Sequence, residues 1–268
     1  MASLKEVKGR IASVNNTRKI TSAMKMVASA KLHKAQAAIE SMLPYERRLH
    51  HILTDFMSNC TEVTSPFIVK REVKKVAVVV FASNTSLCGG FNANVIRHLV
   101  DLLAEYKPLG LENILVFPVG KKVADAVRKL GFRIEGDFQH MADKPSYQEA
   151  ADLAADLMKR FLHGDVDKVE LLYNHFKSTA SQILTRETYL PIDLNNEKKE
   201  EERTIDYILE PSAEELMQEM LPKVLRMKMF TVLLDSNAAE HAARTMAMQI
   251  ATDNANELLQ ELTVMYNK

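Results

Sequence analysis

Between residues 10 and 59 the chain has no glycine and a single proline, Pro44, and good helix formers fill the interval. No other feature constrains the fold as much. About 50 helical residues at 1.5 Å each make a rod of roughly 75 Å, longer than a globular body of this chain length is wide. Part of that helix must stand outside the body. Its apolar positions keep a stripe: Leu4, Val7, Ile11 and Val14, then Ile20, Met24 and Val27, then Ala28, Leu32, Ala35, Ile39, Met42, Leu49, Leu53 and Phe56 in heptad phase. The polar run "NNTR" at 15–18 interrupts the phase, and Pro44 predicts a kink, since an interior proline costs about 3 kcal/mol.

A matching segment closes the chain. Residues 212–268 lack glycine and hold one proline, Pro222, and Ala239, Ala243, Met246, Ile250, Ala255, Leu258, Leu262 and Met265 mark a second seam. Residues 1–40 carry eight Lys/Arg against two acids, a net +6, and residues 212–268 carry eight acids against five Lys/Arg, a net −3. Opposite charge favours pairing of the two ends as an antiparallel coiled coil.

Between them the period changes. "KKVAVVVFAS", "ENILVFPVG" and "DKVELLYNHF" read as buried strands, alternating with helical stretches at 92–106, 121–130 and 146–162. The acidic "NNEKKEEE" reads as a solvated loop before one more strand, "RTIDYILE". The expected fold is α/β: a coiled coil of long terminal helices, 1–59 and 212–268, bracketing a parallel-rich, Rossmann-like domain at 74–211.

Composition excludes several function classes. With 35 basic and 35 acidic residues the chain has no overall pull toward nucleic acid or anionic lipid. Its two cysteines, Cys60 and Cys88, lack CxxC spacing and fit a reducing compartment. No run approaches the ~18 apolar residues of a membrane span, and the N-terminus has no signal-peptide core.

Candidate chemistry is sparse. "SLCGGFN" at 86–92 is a small glycine-bearing strand-to-helix turn where phosphate often binds, but it matches neither GxGxxG nor GxxxxGK[ST]. Cys88 in that turn is a candidate nucleophile with no His or acid at diagnostic spacing; a small buried residue explains it as well. "GKK" at 120–122 reads as a helix start with solvated lysines. His50 and His51 point about 100° apart on a helix and make a poor metal pair. The basic opening segment has no aromatic residue before Tyr45, which weakens a nucleic-acid role. An α/β enzyme acting through the Cys88 loop and a helical nucleic-acid adaptor remain as alternatives.

Three stretches, "IASVNNTRKITSAMKMVASAKLHKAQ" at 11–36, "SLCGGFN" and "EHAARTMAMQIATDNANELLQELTVMYNK" at 240–268, resemble in order the gamma subunit of the rotary F-type ATP synthase of bacteria. The resemblance runs along essentially the whole chain. It implies a non-catalytic rotor shaft without cofactor or metal, its paired helices inside a hexamer of alternating alpha and beta subunits. The α/β domain would sit next to epsilon and the c-ring, peripheral to the cytoplasmic face of the inner membrane. By the same resemblance Met24 and Lys25 meet the acidic lever of a beta subunit, and Arg244 and Gln249 meet its catch loop. Tyr207 and Glu210, in "IDYILEP", fall in the segment that contacts the c-ring or epsilon. Two features depart from the family. Its Asp-Arg-Gly-like run ahead of Leu-Cys-Gly-Gly is "SNTS" here. Its members also usually continue past "YNK" by roughly twenty helical residues, about 30 Å; either the chain is trimmed there or its shaft is short.

The Met, Ala and Lys composition of 19–36 suits such a shaft. Small, soft side chains pack adaptably, and screened lysines exchange partners without fixing one angle.

Overall fold

The computed structural model describes residues 4–59, 65–192 and 213–267. Two long helices enclose the rest: α1 (Leu4–Asn59) and α6 (Ala213–Asn267). At 56 and 55 residues, each is about 80 Å long. Neither Pro44 nor Pro222 ends its helix. Tertiary packing holds α6 through its proline, since Leu221 and Leu225 on either side of Pro222 belong to the core of the α/β unit.

The pairing is antiparallel. Leu32 and Ala35 of α1 pack on Ala238 and Ala242 of α6, and the hydroxyls of Thr21 and Thr252 meet at 2.8 Å. Farther out, Arg18 Nη1 donates to Asn256 Oδ1 at 3.3 Å. At these crossings hydroxyl and amide groups, not carboxylates, meet α1, so the opposite net charges of the two ends act over the helices at large. The seam also shifts phase relative to the apolar stripe of the sequence. On α1, Ala28 is buried and Ile20 and Val27 are each 59% exposed. On α6, Ala238, Ala242, Met248, Ala255 and Leu262 are buried, while Ile250, Leu258 and Met265 are exposed. The polar Thr21 takes a seam position that its apolar neighbour Ile20 was expected to hold.

Between the helices lies a five-stranded sheet in the order β3-β2-β1-β4-β5. Its strands are β1 (Val76–Phe81), β2 (Ile114–Val119), β3 (Arg133–Ile134), β4 (Lys168–Ser178) and β5 (Ser181–Leu190). The first four run parallel, and β5 returns antiparallel along β4. Every residue of β1 and β2 is buried, which is why those segments read as unbroken apolar runs. The three helical stretches expected from sequence appear as α2 (Phe91–Tyr106), α3 (Lys121–Leu130) and α5 (Tyr147–His163). A short α4 (Gln139–Asp143) precedes α5. The acidic loop and the "RTIDYILE" strand lie outside the described residues.

The sheet is covered on both sides. Val76, Val78 and Val80 face α2 and α3 through Val95, Leu99, Leu103, Val123 and Val127. Ala77, Val79 and Phe81 face α5 and the first half of α6, where Leu157, Phe161, Met217, Leu221, Leu225 and Met229 complete the larger core. The helix α6 therefore has two tasks. Its first half is a layer of the α/β unit, and its second half is one strand of the two-helix rod. Tyr189 of β5 donates to the Leu225 carbonyl at 2.7 Å, and Asp235 accepts from Phe176 N at 2.8 Å and from His175 Nδ1 at 2.7 Å.

Candidate functional site

In an open α/β sheet, ligands bind outside the carboxyl ends of the strands, so that edge is the first place to look for chemistry. Here it is occupied by the chain itself. Asn84 accepts from Lys121 N at 2.8 Å, and the Ser83 carbonyl accepts from Lys122 N at 3.1 Å, which engages the first two amides of α3. Gly120, at φ +111, lies so close to β1 that a Cβ there would stand 2.2 Å from the Ala82 carbonyl oxygen. A phosphate therefore has neither the donors nor the room it needs.

The Cys88 turn is likewise closed. Asn92 Nδ2 donates to Ser83 Oγ at 2.8 Å and to Cys88 Sγ at 3.2 Å, while Ser83 Oγ donates to the Thr85 carbonyl at 2.7 Å. Cys88 is buried, and none of these partners can take its proton, so the thiol lacks the base a nucleophile requires. A cavity beside this edge, lined by Phe81, Ala142, Leu233, Asn237 and Glu240, measures about 10 Å³, room for one water molecule at most. Among the described residues no cluster of His, Cys, Asp or Glu has the makings of a metal site.

The residues singled out from the sequence lie on the rod. Counting from the Thr21–Thr252 contact, antiparallel pairing puts Met24 and Lys25 level with Met248 and Gln249. Met24, Lys25 and Gln249 are all half-buried, and Gln249 Nε2 donates to both oxygens of Asp253, at 2.7 and 2.8 Å. Around them Ile20, Met26, Val27 and Ile250 stand exposed. Arg244 differs. It is 9% exposed, and its guanidinium turns inward: Nη1 donates to the Ser86 carbonyl and Nη2 to Glu240 Oε1 at 2.7 Å. The structure thus gathers three of the four at one level and puts the fourth about 7 Å below, on the Cys88 turn. Tyr207 and Glu210 lie outside the described residues.

Sequence reasoning passed over Glu240 and His241. Burial raises the Glu240 carboxyl above its usual range, against the pull of Arg244. Burial, with Lys31 and Arg244 nearby, lowers His241 to about 4. The signal was present: Ser236, Asn237, Glu240, His241 and Arg244 are polar residues within one Ala-rich stretch of helix, and all are buried.

Residues 3–268 match the ATP synthase family. Three relatives called ATP synthase gamma chain align over all of this chain: 81% identical in Phocaeicola vulgatus across 93% of that protein, 61% in Bacteroides thetaiotaomicron across 94%, and 63% in Bacteroides fragilis across 93%. The chain belongs to the ATP synthase gamma-chain family. Members are non-catalytic, and neither the enzyme nor the nucleic-acid alternative gains support. Among solved structures, a rotor from Euglena gracilis mitochondrial ATP synthase superposes with a TM-score of 0.63 at 18% identity, covering 98% of this chain and 96% of that one. The central stalk with c-ring of the Tetrahymena thermophila enzyme gives 0.61 at 22%, covering 87% and 99%. At these identities the likeness is one of fold alone.

Proposed function

We propose that this gamma chain is the turning shaft of a bacterial ATP synthase, coupling ion-driven rotation of a c-ring to ATP synthesis or hydrolysis in an alpha/beta hexamer. One observation carries the reading: the α1–α6 rod extends past the α/β unit with Ile20, Met26, Val27 and Ile250 exposed along it. A surface of that kind suits sliding contact with several similar partners in turn, because soft apolar groups give close packing without fixing one angle. A two-helix rod has no three-fold symmetry. Three similar catalytic sites around it would therefore each meet a different face, which biases each toward a different open or closed state.

Within this reading residues 1–59 and 212–268 form the shaft and 74–211 the foot, with the first half of α6 shared between them. Met24, Lys25 and Gln249, at one level, are the proposed contacts with beta subunits. Arg244 serves that contact from inside, by holding the Cys88 turn. Tyr207 and Glu210 are the proposed contacts with epsilon or the c-ring, and the assembly places the chain at the cytoplasmic face of the inner membrane without crossing it. Among the described residues no helix is long and apolar enough to span a bilayer.

Reconstitution tests the proposal. Mixed with its own alpha and beta chains, the protein should yield a stoichiometric complex that hydrolyses ATP at a rate neither mixture component reaches alone. Cysteines at 24 or 249 should cross-link to beta, and cysteines at 207 or 210 to epsilon or the c-ring. Failure of the complex to form, or cross-links exchanged between the two groups, would overturn it.

A further inference from the structure

The α/β unit holds α6 by two kinds of contact. Along 217–233 it is a broad apolar layer. Above that, Asp235 holds His175 and Phe176 N, Asn237 Nδ2 donates to the Ala142 carbonyl at 3.0 Å, and the contact then narrows to the Cys88 turn, where Cys88 and Phe91 rest on Ala239 and Ala243. These alanines, with Ala247, recur every four residues on one face of α6, and the absence of longer side chains lets the turn approach the helix closely. A Cβ built on Gly89 would lie 3.9 Å from the Ala247 Cβ.

Beside this alanine face stands Arg244. Its guanidinium reaches across to the Ser86 carbonyl while Glu240, one turn earlier, accepts from its other nitrogen. Both side chains of the pair are about 10% exposed. Arginine suits the task because its planar fork donates in two directions at once from a fixed geometry. The turn it holds is conformationally constrained: Leu87, next to the bonded carbonyl, is in the left-handed region at φ +66, a conformation that persists only where the surroundings impose it. Leu87 also projects into solvent, 59% exposed, so no packing of its own side chain explains that conformation.

We propose that Arg244, oriented by Glu240 and seated on the Ser86 carbonyl, is the upper joint that fixes α6 to the α/β unit and so sets where the free two-helix rod begins. Gly89 faces Ala247, one turn beyond Ala243 on α6. Past it the buried positions of α6, Met248, Ala255 and Leu262, lie on the seam toward α1. Twist applied to the α/β unit reaches the rod through this joint as well as through the apolar layer. Without it the outermost polar hold of the α/β unit on α6 would retreat to Asn237, which donates to the Ala142 carbonyl. The joint belongs to the chain alone and holds whether or not the shaft reading does.

Hydrogen exchange on the full-length isolated chain tests it. Arg244→Gln should speed exchange of the Phe91 and Asn94 amides, which donate to the Cys88 and Gly90 carbonyls of the turn, at least tenfold while leaving 76–80 unchanged; Glu240→Gln should do the same by a smaller factor. A covalent replacement should then restore the wild-type rates. The Gly89–Ala247 spacing falls within disulfide range, so Gly89→Cys with Ala247→Cys, in a Cys88→Ser background, should oxidise readily despite the left-handed backbone at 89. Oxidised, this pair should return Arg244→Gln to within twofold of wild type. A merely helix-stabilising arginine predicts the opposite pattern: faster exchange along α6, an unaffected turn and no rescue. Exchange at Phe91 and Asn94 within twofold of wild type in both single variants would overturn the joint, and so would a disulfide that forms without restoring protection. If Arg244→Gln does not fold, Glu240→Gln with the same disulfide decides.

Discussion

His241 shows how one buried residue makes the neck of the molecule sensitive to pH. Its Nδ1 is buried without a hydrogen-bond partner, and burial together with Lys31 and Arg244 lowers its pKa to about 4, against a weaker opposing pull from Asp143. Above pH 6.5 the ring is neutral in both the folded and unfolded chain and contributes no pH dependence. As pH falls from 6.5 toward 4, only the unfolded chain takes up the proton, so stability drops, by as much as about 3 kcal/mol for a shift of this size. Glu240 acts in the opposite sense, since its raised pKa lets the folded chain bind a proton first. Urea unfolding at pH 7 and pH 4 should therefore show a smaller loss for His241→Gln than for wild type. An equal loss would place the acid sensitivity elsewhere. Arg244 makes a second prediction at this scale. Arg244→Lys keeps the charge but loses the fork, and a charged hydrogen bond contributes about 1.5–3 kcal/mol. In the assembled alpha/beta head, coupled turnover should fall about tenfold with assembly intact. Turnover at the wild-type rate would show that the Arg244 fork does not serve the contact with beta subunits and would leave only its part in the Cys88 turn. The sequence made the identity and prominence of this residue legible, but not its direction. A lone cation in an Ala-Met helix reads as partner-facing until the Cys88 turn is seen packed against it.

The elements were legible where one environment dominates each of them. The strands β1 and β2 are buried on both faces and read as apolar runs; α2, α3 and α5 lie against one sheet face each and read as amphipathic helices. The β4–β5 hairpin was only half visible, because β5 is an edge strand with an exposed first half and carries a weak alternating signal. The seam of the long helices was misplaced for a different reason. Along 236–244 α6 is buried toward α1 on one side and toward the α/β unit on another, so apolar and small residues occur all round and periodicity cannot choose a face. On α1 the polar Thr21 holds a seam position by pairing with Thr252. One of the two hydroxyls donates across the seam, and the other donates to its own helix, Thr21 to the Arg18 carbonyl or Thr252 to the Met248 carbonyl. Removing either hydroxyl deletes the one bond across the seam, while the remaining threonine keeps only its bond within its own helix. Thr21→Val and Thr252→Val should each destabilise the isolated chain by about 1 kcal/mol, and the double variant by clearly less than the sum. Additive losses in urea unfolding would show that the two hydroxyls do not depend on each other.

At the scale of the molecule, stability is graded along the long axis. Val76, Val78, Val79 and Val80 of the central strand are fully buried between two helical layers, and β1 pairs with a strand on each side. The α1–α6 rod beyond the neck has a single narrow seam. From residue 249 to 267 only Ala255 and Leu262 of α6 are buried, and the facing part of α1 contributes little more than Val7 and Thr21. Burial of a few side chains at ~25 cal/mol per Å² cannot hold two free helices of this length rigid, whereas the α/β core opens only by global unfolding. Exchange in the isolated chain should thus be slowest at 76–80, intermediate at 238–244, where α6 is gripped from two sides, and fast from 252 outward and from 4 to 18. On this account the boundary falls just past Arg244. In complex with alpha and beta chains the outer amides should slow, because the exposed Ile20, Met26, Val27 and Ile250 then acquire partners. The β1 amides should not change. A rod that is as protected as the core when alone, or one left unprotected in the complex, would contradict a division of labour in which the foot folds by itself and the shaft is completed by the ring around it.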